Sequence, residues 1–190
     1  MLSDMIDAIL FDMVGVLLVR DNTYTPVTSD QRKAEAIVGL YNHFDDRRLL
    51  ANVREKLFLT DEEIGRALPH IPDGYEPFAD LWQILPALKG RCKLAVINNG
   101  NALAKVYWDA KFDFGLFDVF ISSAQEGLRK PDARIFLLTC RRLATEPKRC
   151  LFMDDSEENV AAAAALGMAT IWWKNMHDGL AEFRRFLGAP

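Results

Sequence analysis

Five short apolar segments constrain the fold of this chain more than any other feature. Each is four or five residues long and rich in Ile, Val, Leu or aromatic residues, which is typical of strands buried on both faces of a sheet. Helical patterns lie between the later segments, and such alternation predicts a parallel sheet with helices on both faces, an α/β fold. The segments are 7–11, 93–97, 118–122, 150–153 and 169–173.

The helical patterns carry recognisable end signals. One covers 132–144, and we expect Asp132 to be its N-cap residue because a side-chain oxygen there accepts hydrogen bonds from free backbone N–H groups. Another covers 156–167 and ends at Gly167, a residue type favoured just past a helix end. The remaining patterns are 101–112, 177–188 and 78–90, and Pro86 should kink or end the last of them.

Residues 20–75 interrupt the alternation of strand and helix. They contain three helical patterns with no strand-like run between them, and 71–77 is expected to be a loop. We therefore expect a small helical cap at 20–75, inserted after the first strand of an α/β core formed by 1–19 and 76–190. The three helical patterns are 29–44, 45–58 and 60–71.

Composition excludes several classes of protein. The chain has 190 residues, is 50% hydrophobic and carries a formal net charge of -4 without a long basic run, so nucleic acid is not an expected partner. No run approaches the ~18–20 apolar residues of a membrane span, and the first ten residues lack the pattern of a secretory signal. The three cysteines have no CxxC spacing and are expected to be reduced thiols in a cytoplasmic protein.

Polar side chains follow four of the predicted strands, at the edge where parallel sheets bind ligands. Three carboxylates in one crevice repel each other, so either one of them stays protonated or cations hold the cluster. Lys130 supplies one positive charge, and Mg2+ suits the remainder because it is usually bound by one or two carboxylates and several waters. The residues at this edge are Asp12 after the first strand, Asn98, Asn99 and Gly100 after the second, Lys130 in the loop after the third, and Asp154 and Asp155 after the fourth.

On these residues the chain resembles the haloacid dehalogenase-like (HAD) hydrolase superfamily, in particular its phosphatase-type members with a small helical cap. The resemblance covers nearly the whole chain and follows the order of that family's four motifs. The first motif, usually hhhDxDGhh, is ILFDMVGVL at 9–17, and the second is LAVINNG at 94–100. The third is GLRKPDARIF at 127–136, and the fourth is LFMDDSEENVAAAAALGM at 151–168.

The resemblance implies a Rossmann-like core and a role for each matching residue. Asp12 would be the nucleophile that forms an aspartyl-phosphate from a small phosphate ester, and Lys130 would stabilise Asp12 and the phosphoryl oxygens. Phosphate would be bound through the second motif and Mg2+ through the first and fourth, with Asn159 bracing the fourth. The implied phosphate-binding residues are Asn98, Asn99 and Gly100, and the implied metal ligands are Asp12, the backbone carbonyl of Val14, Asp155 and Asp154.

Two residues depart from the family pattern. Val14 occupies the position where most phosphatases of this family have the Asp that protonates the leaving oxygen and then activates water. Such general acid–base help is typically worth ~10²–10⁴ in rate. Asn98 stands where Ser or Thr normally bonds a phosphoryl oxygen, and its longer amide can also donate, with Asn99 able to share the task.

Three functions remain open on the sequence alone. The first is a working Mg2+-dependent phosphatase, because esters with good leaving groups need less acid assistance. The second is another hydrolysis, such as dehalogenation of a 2-halo acid, where the halide needs no proton; however, dehalogenases of this family work without metal and lack the double Asp. Cleavage of a carbon–phosphorus bond is related but uses a cap lysine, and nothing marks out Lys33 or Lys56. The third is a catalytically impaired relative that binds phosphate ligands or a partner protein.

Overall fold

The computed structural model describes residues 6–40 and 45–188. Within these residues, the strands β1–β7 are Ala8–Phe11, Leu18–Arg20, Tyr75–Pro77, Lys93–Asn98, Val119–Ser122, Cys150–Asp154 and Ala169–Trp172. The helices α1–α10 are Ser29–Val38, Asp46–Leu57, Asp61–Ala67, Ala79–Trp82, Leu85–Leu88, Lys105–Lys111, Ser123–Glu126, Ala133–Leu143, Glu157–Ala165 and Met176–Leu187. Single 3-10 turns or short 3-10 helices cover Leu68–Gly74, Phe114–Leu116 and Pro147–Arg149.

The five strands expected from the apolar segments form one parallel sheet with the order β5-β4-β1-β6-β7. This confirms the predicted α/β, Rossmann-like fold class. Strand β1 is central, and its last residue Phe11 pairs with Val96 of β4 and Met153 of β6. The residues that follow β1, β4 and β6 therefore meet at one edge of the sheet.

Both faces of the sheet are buried, because alternate residues of each strand point to opposite sides. In β1, Ile9 and Phe11 belong to one hydrophobic cluster, which also contains residues of α4, α5 and α10. Ala8 and Leu10 belong to a second cluster with residues of α8 and α9. The sheet is thus the middle of three layers, which explains why its strands read as continuous apolar runs.

A helical insertion, defined here as residues 29–74, connects β2 to β3. It contains α1, α2, α3 and the 3-10 helix, and β2 pairs antiparallel with β3 at its base. Local capping explains where two of its helices begin: Thr28 and Gln31 form a capping box at α1, and Thr60 and Glu63 form one at α3. The predicted helix 29–44 is confirmed over Ser29–Val38, whereas 41–44 lie outside the described residues.

Several predicted boundaries differ from the structure. The expected boundaries of the cap, 19/20 and 75/76, fall inside β2 and β3, and the division itself stays a prediction. The loop expected at 71–77 is wrong, because it is the end of a 3-10 helix followed by β3. The helix expected over 78–90 is two short helices, the second with Pro86 in its first turn.

None of the described helices is long and apolar enough to cross a membrane.

Candidate active site

A buried lysine connects two strand ends at the edge of the sheet. Lys130 Nζ donates to Asp12 Oδ1 at 2.6 Å and to Asp154 Oδ2 at 2.7 Å, and the lysine is only 1% exposed. Asp12 follows β1, and its backbone N–H extends the sheet by donating to the carbonyl of Met153. Lys130 thus fixes two carboxylates that lie far apart in the sequence.

Both carboxylate oxygens of Asp154 accept hydrogen bonds from protein groups. Its Oδ1 accepts from the backbone N–H of Ser156 at 2.8 Å and from Asn159 Nδ2 at 2.9 Å, while its Oδ2 accepts from Lys130. Asn159 lies in the first turn of α9, so these bonds hold the start of that helix against the end of β6. The structure thus brings Asn159 into contact with Asp154, and its role as a brace of the fourth motif stays a prediction.

Asp155 completes a cluster of three carboxylates with Asp12 and Asp154. One oxygen from each lies within 4.8 Å of the others, and Asp155 is the exposed member. Gly15 permits this approach, because a Cβ built at Gly15 would lie 2.4 Å from Asp155 Oδ2. The glycine also has φ +102°, a backbone conformation that other residues rarely adopt.

The electrostatics of the cluster follow from three acids sharing one lysine. Burial raises the pKa of Asp12 to about 6; the acids Asp154 and Asp155 add to this rise and Lys130 opposes it. Partial burial and the neighbouring Asp154 also raise the pKa of Asp155. Burial alone would lower the pKa of Lys130, but Asp12 and Asp154 outweigh it and raise that pKa. The cluster therefore has an excess of negative charge that a divalent cation would neutralise.

In the second motif, the side chain of Asn99 is hydrogen-bonded to the backbone of Lys130. Asn99 Oδ1 accepts from the Lys130 N–H at 2.8 Å, and Asn99 Nδ2 donates to the Lys130 carbonyl at 2.9 Å. This pair of bonds gives Asn99 a positioning role that the sequence did not indicate. The side chain of Asn98 lies against Gly100, where an added Cβ would meet Asn98 Nδ2 at 2.5 Å.

Two serines at the end of β5 support the turn after β4. The hydroxyls of Ser122 and Ser123 donate to the Gly100 carbonyl, and the Gly100 N–H donates to the Ser123 hydroxyl. Sequence reasoning missed these serines, although their position at the end of a predicted strand was a usable signal. They fix the backbone that carries the predicted phosphate-binding residues.

A cavity of about 400 Å³ opens above the carboxylates. Val14, in the position of the missing acid, is 39% exposed and lines this cavity. Sequence reasoning missed Val38, Tyr75 and Trp108, because they come from three separate elements. Besides Val14 and these three, the lining comprises Asp12, Met13, Asn98, Asn99, Gly100, Asn101, Lys130, Asp155 and Asn159.

The helical insertion is tied to the loop and helix that follow β4. Asp46 Oδ1 accepts from the backbone N–H of Ala102 at 2.9 Å. From α6, Lys111 Nζ donates to the carbonyls of Pro72 and Tyr75 at 2.7 and 2.9 Å. These bonds hold the insertion over the side of the site from which Val38 and Tyr75 reach the cavity.

Sequence comparison places the chain in a family. A model of the haloacid dehalogenase-like hydrolase family matches residues 6–167, which is most of the chain. The protein therefore belongs to the haloacid dehalogenase-like hydrolase family and is a hydrolase of that family.

Two relatives match the chain over very different shares of their own length. A sesquiterpene phosphatase of Aspergillus oryzae is 27% identical over 197 residues, covering 95% of this chain and 96% of that protein. Acyl-CoA dehydrogenase family member 10 of Mus musculus is 36% identical over 96 residues, which are 50% of this chain and only 9% of that protein.

The fold also matches solved structures. A HAD family enzyme from Bacteroides thetaiotaomicron, in complex with magnesium and inorganic phosphate, has a TM-score of 0.67 and 19% sequence identity. The match covers 87% of this chain and 93% of that enzyme, so the likeness extends over nearly the whole fold.

Proposed function

We propose that this protein is a Mg2+-dependent phosphatase that forms an aspartyl-phosphate on Asp12. The observation that carries the proposal is the placement of Asp12 on the cavity wall, with Oδ1 bound to Lys130. Its Oδ2 receives no hydrogen bond from the described residues, so one oxygen remains for attack on phosphorus. The sesquiterpene phosphatase that matches along almost its full length supports phosphatase activity.

The donor set fits a hard divalent cation. Three carboxylates within 4.8 Å of one another face a single lysine, and oxygen ligands are those that Mg2+ prefers. Asp12, Asp155 and the Val14 carbonyl would hold the ion. Asp154 would act mainly through Lys130 and Asn159, because its oxygens already accept from protein groups. Bound Mg2+ would neutralise phosphoryl oxygens and favour the ionised form of Asp12.

The reaction then takes two displacements at phosphorus. Asp12 attacks the phosphorus atom, and the bond from phosphorus to the leaving oxygen breaks. Val14 cannot donate a proton, so the leaving oxygen takes one from water. Water next attacks the phosphorus of the aspartyl-phosphate and gives a proton to the hydroxide left by the first step. The bond from phosphorus to the Asp12 oxygen breaks, which releases inorganic phosphate and restores the Asp12 carboxylate. Lys130 stabilises negative charge on Asp12 and on the phosphoryl oxygens in both steps.

We also propose that the helical insertion is the cap of this enzyme. It supplies Val38 to the cavity, and its base strand β3 supplies Tyr75. Its ties to the chain after β4 support this role, in which the cap would limit water access and select substrates.

Phosphate release from a panel of esters tests the proposal. The panel includes acetyl phosphate and 4-nitrophenyl phosphate, whose leaving groups need little acid assistance, and is run with Mg2+ and with a chelator. We expect release that requires Mg2+ and is lost in Asp12→Asn but kept in the surface control Asp80→Asn.

Two outcomes would overturn it. Halide release from a 2-halo acid in chelator would indicate a dehalogenase. Absence of turnover of every ester beyond the Asp12→Asn background would indicate a phosphate-binding or partner-binding relative without this activity.

A further inference from the structure

We infer that the natural substrate carries its phosphate on a leaving group whose body is an apolar hydrocarbon. This inference rests on the proposed phosphatase activity and adds the chemical class of the leaving group. It comes from the way polar and apolar residues are distributed around the cavity.

The charged part of the lining follows β1 and β6 or lies in the loop before α8. Asp12, Lys130 and Asp155 are the charged residues among the described lining, and all three belong to the predicted phosphate and metal site. Lys130 is already bound to two carboxylates. The charged groups of the cavity are therefore accounted for by the phosphoryl group and its cation.

Three apolar or aromatic residues of the lining come from other elements. Val38 ends α1, Tyr75 begins β3, and Trp108 lies in α6. The rings of Tyr75 and Trp108 meet edge to face with centroids 5.0 Å apart. Together with Val14 they form an apolar wall, by which we mean Val14, Val38, Tyr75 and Trp108.

Val14 connects the apolar wall to the reaction. It stands where the family's acid would meet the leaving oxygen, so the leaving group passes next to it. Its 39% exposure leaves apolar surface that an alkyl chain would remove from water. A leaving group with many hydroxyls would instead lose hydrogen bonds to water against this wall without regaining them.

The charged side chains of the insertion do not offset this apolar character. Arg20, at the base of the insertion, pairs with Glu35, and Lys33 pairs with Glu63. Arg66 pairs with Glu62. None of these three cations is among the described lining of the cavity. The Arg20 guanidinium lies over the Tyr75 ring, 4.8 Å from its centroid, but its partner is Glu35. Within the described lining, a second phosphate or a carboxylate on the leaving group would find no cation other than Lys130.

A series of n-alkyl phosphates tests the inference with the wild-type protein. From butyl to decyl the leaving alcohols have nearly the same acidity, so changes in kcat/KM report burial of the chain. We expect kcat/KM to rise by up to about fourfold per methylene, the value for full burial, until the chain reaches the cavity mouth. Glycerol phosphate, a polar ester of a comparable alcohol, should be a poorer substrate than butyl phosphate.

Two valines provide a matched pair of variants. Val38→Asn replaces part of the apolar wall with a polar side chain of similar size and should flatten the dependence on chain length. Val106→Asn makes the same change on α6 at a position that is 64% exposed and outside the described lining, so it should keep the wild-type slope. Equilibrium binding of the same series to Asp12→Asn by calorimetry, in Mg2+, should show the same ordering without turnover.

The outcomes separate the two proposals. Turnover of acetyl phosphate with no rise along the alkyl series, or a preference for glycerol phosphate over butyl phosphate, would overturn the apolar leaving group and leave the phosphatase intact. An equal slope in Val38→Asn and Val106→Asn would also overturn it. No turnover of any ester, acetyl phosphate included, would instead contradict the phosphatase itself.

Discussion

Two lysines, one at the edge of the sheet and one in the helical insertion, each face two carboxylates in different surroundings. Lys130 contacts Asp12 and Asp154 at 2.6 and 2.7 Å and is almost fully buried. Lys33 contacts Glu63 and Asp30 at 3.0 and 3.8 Å with its side chain 23% exposed. Water can replace the partners of Lys33 but not those of Lys130. Losing the two ion pairs should therefore lower the free energy of unfolding more at Lys130 than at Lys33.

Removing each lysine should give the largest difference between the two regions. Lys130→Met leaves two buried carboxylates without a counter-charge and should lower the free energy of unfolding by about 3–5 kcal/mol and abolish phosphate release. Lys33→Met should cost about 0–1 kcal/mol and leave release measurable. Urea unfolding with phosphate assays measures both, and equal losses in the two variants would contradict the comparison.

The next largest difference should come from adding a carboxylate at the sheet edge or just before the helical insertion. Val14→Asp restores the acid that most phosphatases of the family carry, in a position with room for a side chain that reaches into the cavity. We expect kcat on glycerol phosphate to rise by ~10²–10⁴. Val27→Asp, at an exposed site before α1, should leave kcat unchanged. If kcat on glycerol phosphate instead falls in Val14→Asp, the absence of an acid at position 14 does not limit turnover of polar esters.

A smaller effect is expected from the glycine that lies against Asp155. In Gly15→Ala the new methyl group must displace the Asp155 carboxylate, so we expect Mg2+ affinity to fall by about 10–100-fold, as when other supports of metal ligands are lost. Gly65→Ala, in α3 with open space around the position, should bind Mg2+ like the wild type. Calorimetric titration with Mg2+ distinguishes them, and unchanged affinity in Gly15→Ala would remove Asp155 from the proposed metal site.

The smallest expected effect concerns the capping box of α3. Hydrogen bonds from the Thr60 backbone and from Lys33 lower the pKa of Glu63 from 4.5 to about 2. Because the folded-state pKa is lowered, the stabilisation is complete above pH 4.5 and is lost as pH falls through about 2. Glu63→Gln should therefore show a smaller loss of stability than wild type over this window in urea unfolding. An identical loss in both proteins would contradict the assignment.

The strands could be predicted because each is a local apolar run. The polar residues at the sheet edge could be predicted because the carboxyl ends of parallel strands lie together. The contacts that assemble the site could not. Asn99 holds the backbone of Lys130 across 31 residues, and nothing local to either residue indicates it. The apolar wall likewise joins residues from several elements. The helix expected from residue 101 begins at Lys105 instead, and the Ala102 N–H is bonded to Asp46 of the insertion.

The central claim is that Asp12 becomes phosphorylated. Its most direct test is a rapid acid quench of the wild-type enzyme during turnover of acetyl phosphate in Mg2+, followed by mass spectrometry of the peptide that contains Asp12. We predict that this peptide gains the mass of one phosphoryl group on Asp12, and that Asp12→Asn shows no such gain. Turnover without a phosphorylated Asp12 peptide, or with the phosphoryl group on another residue, would contradict the account.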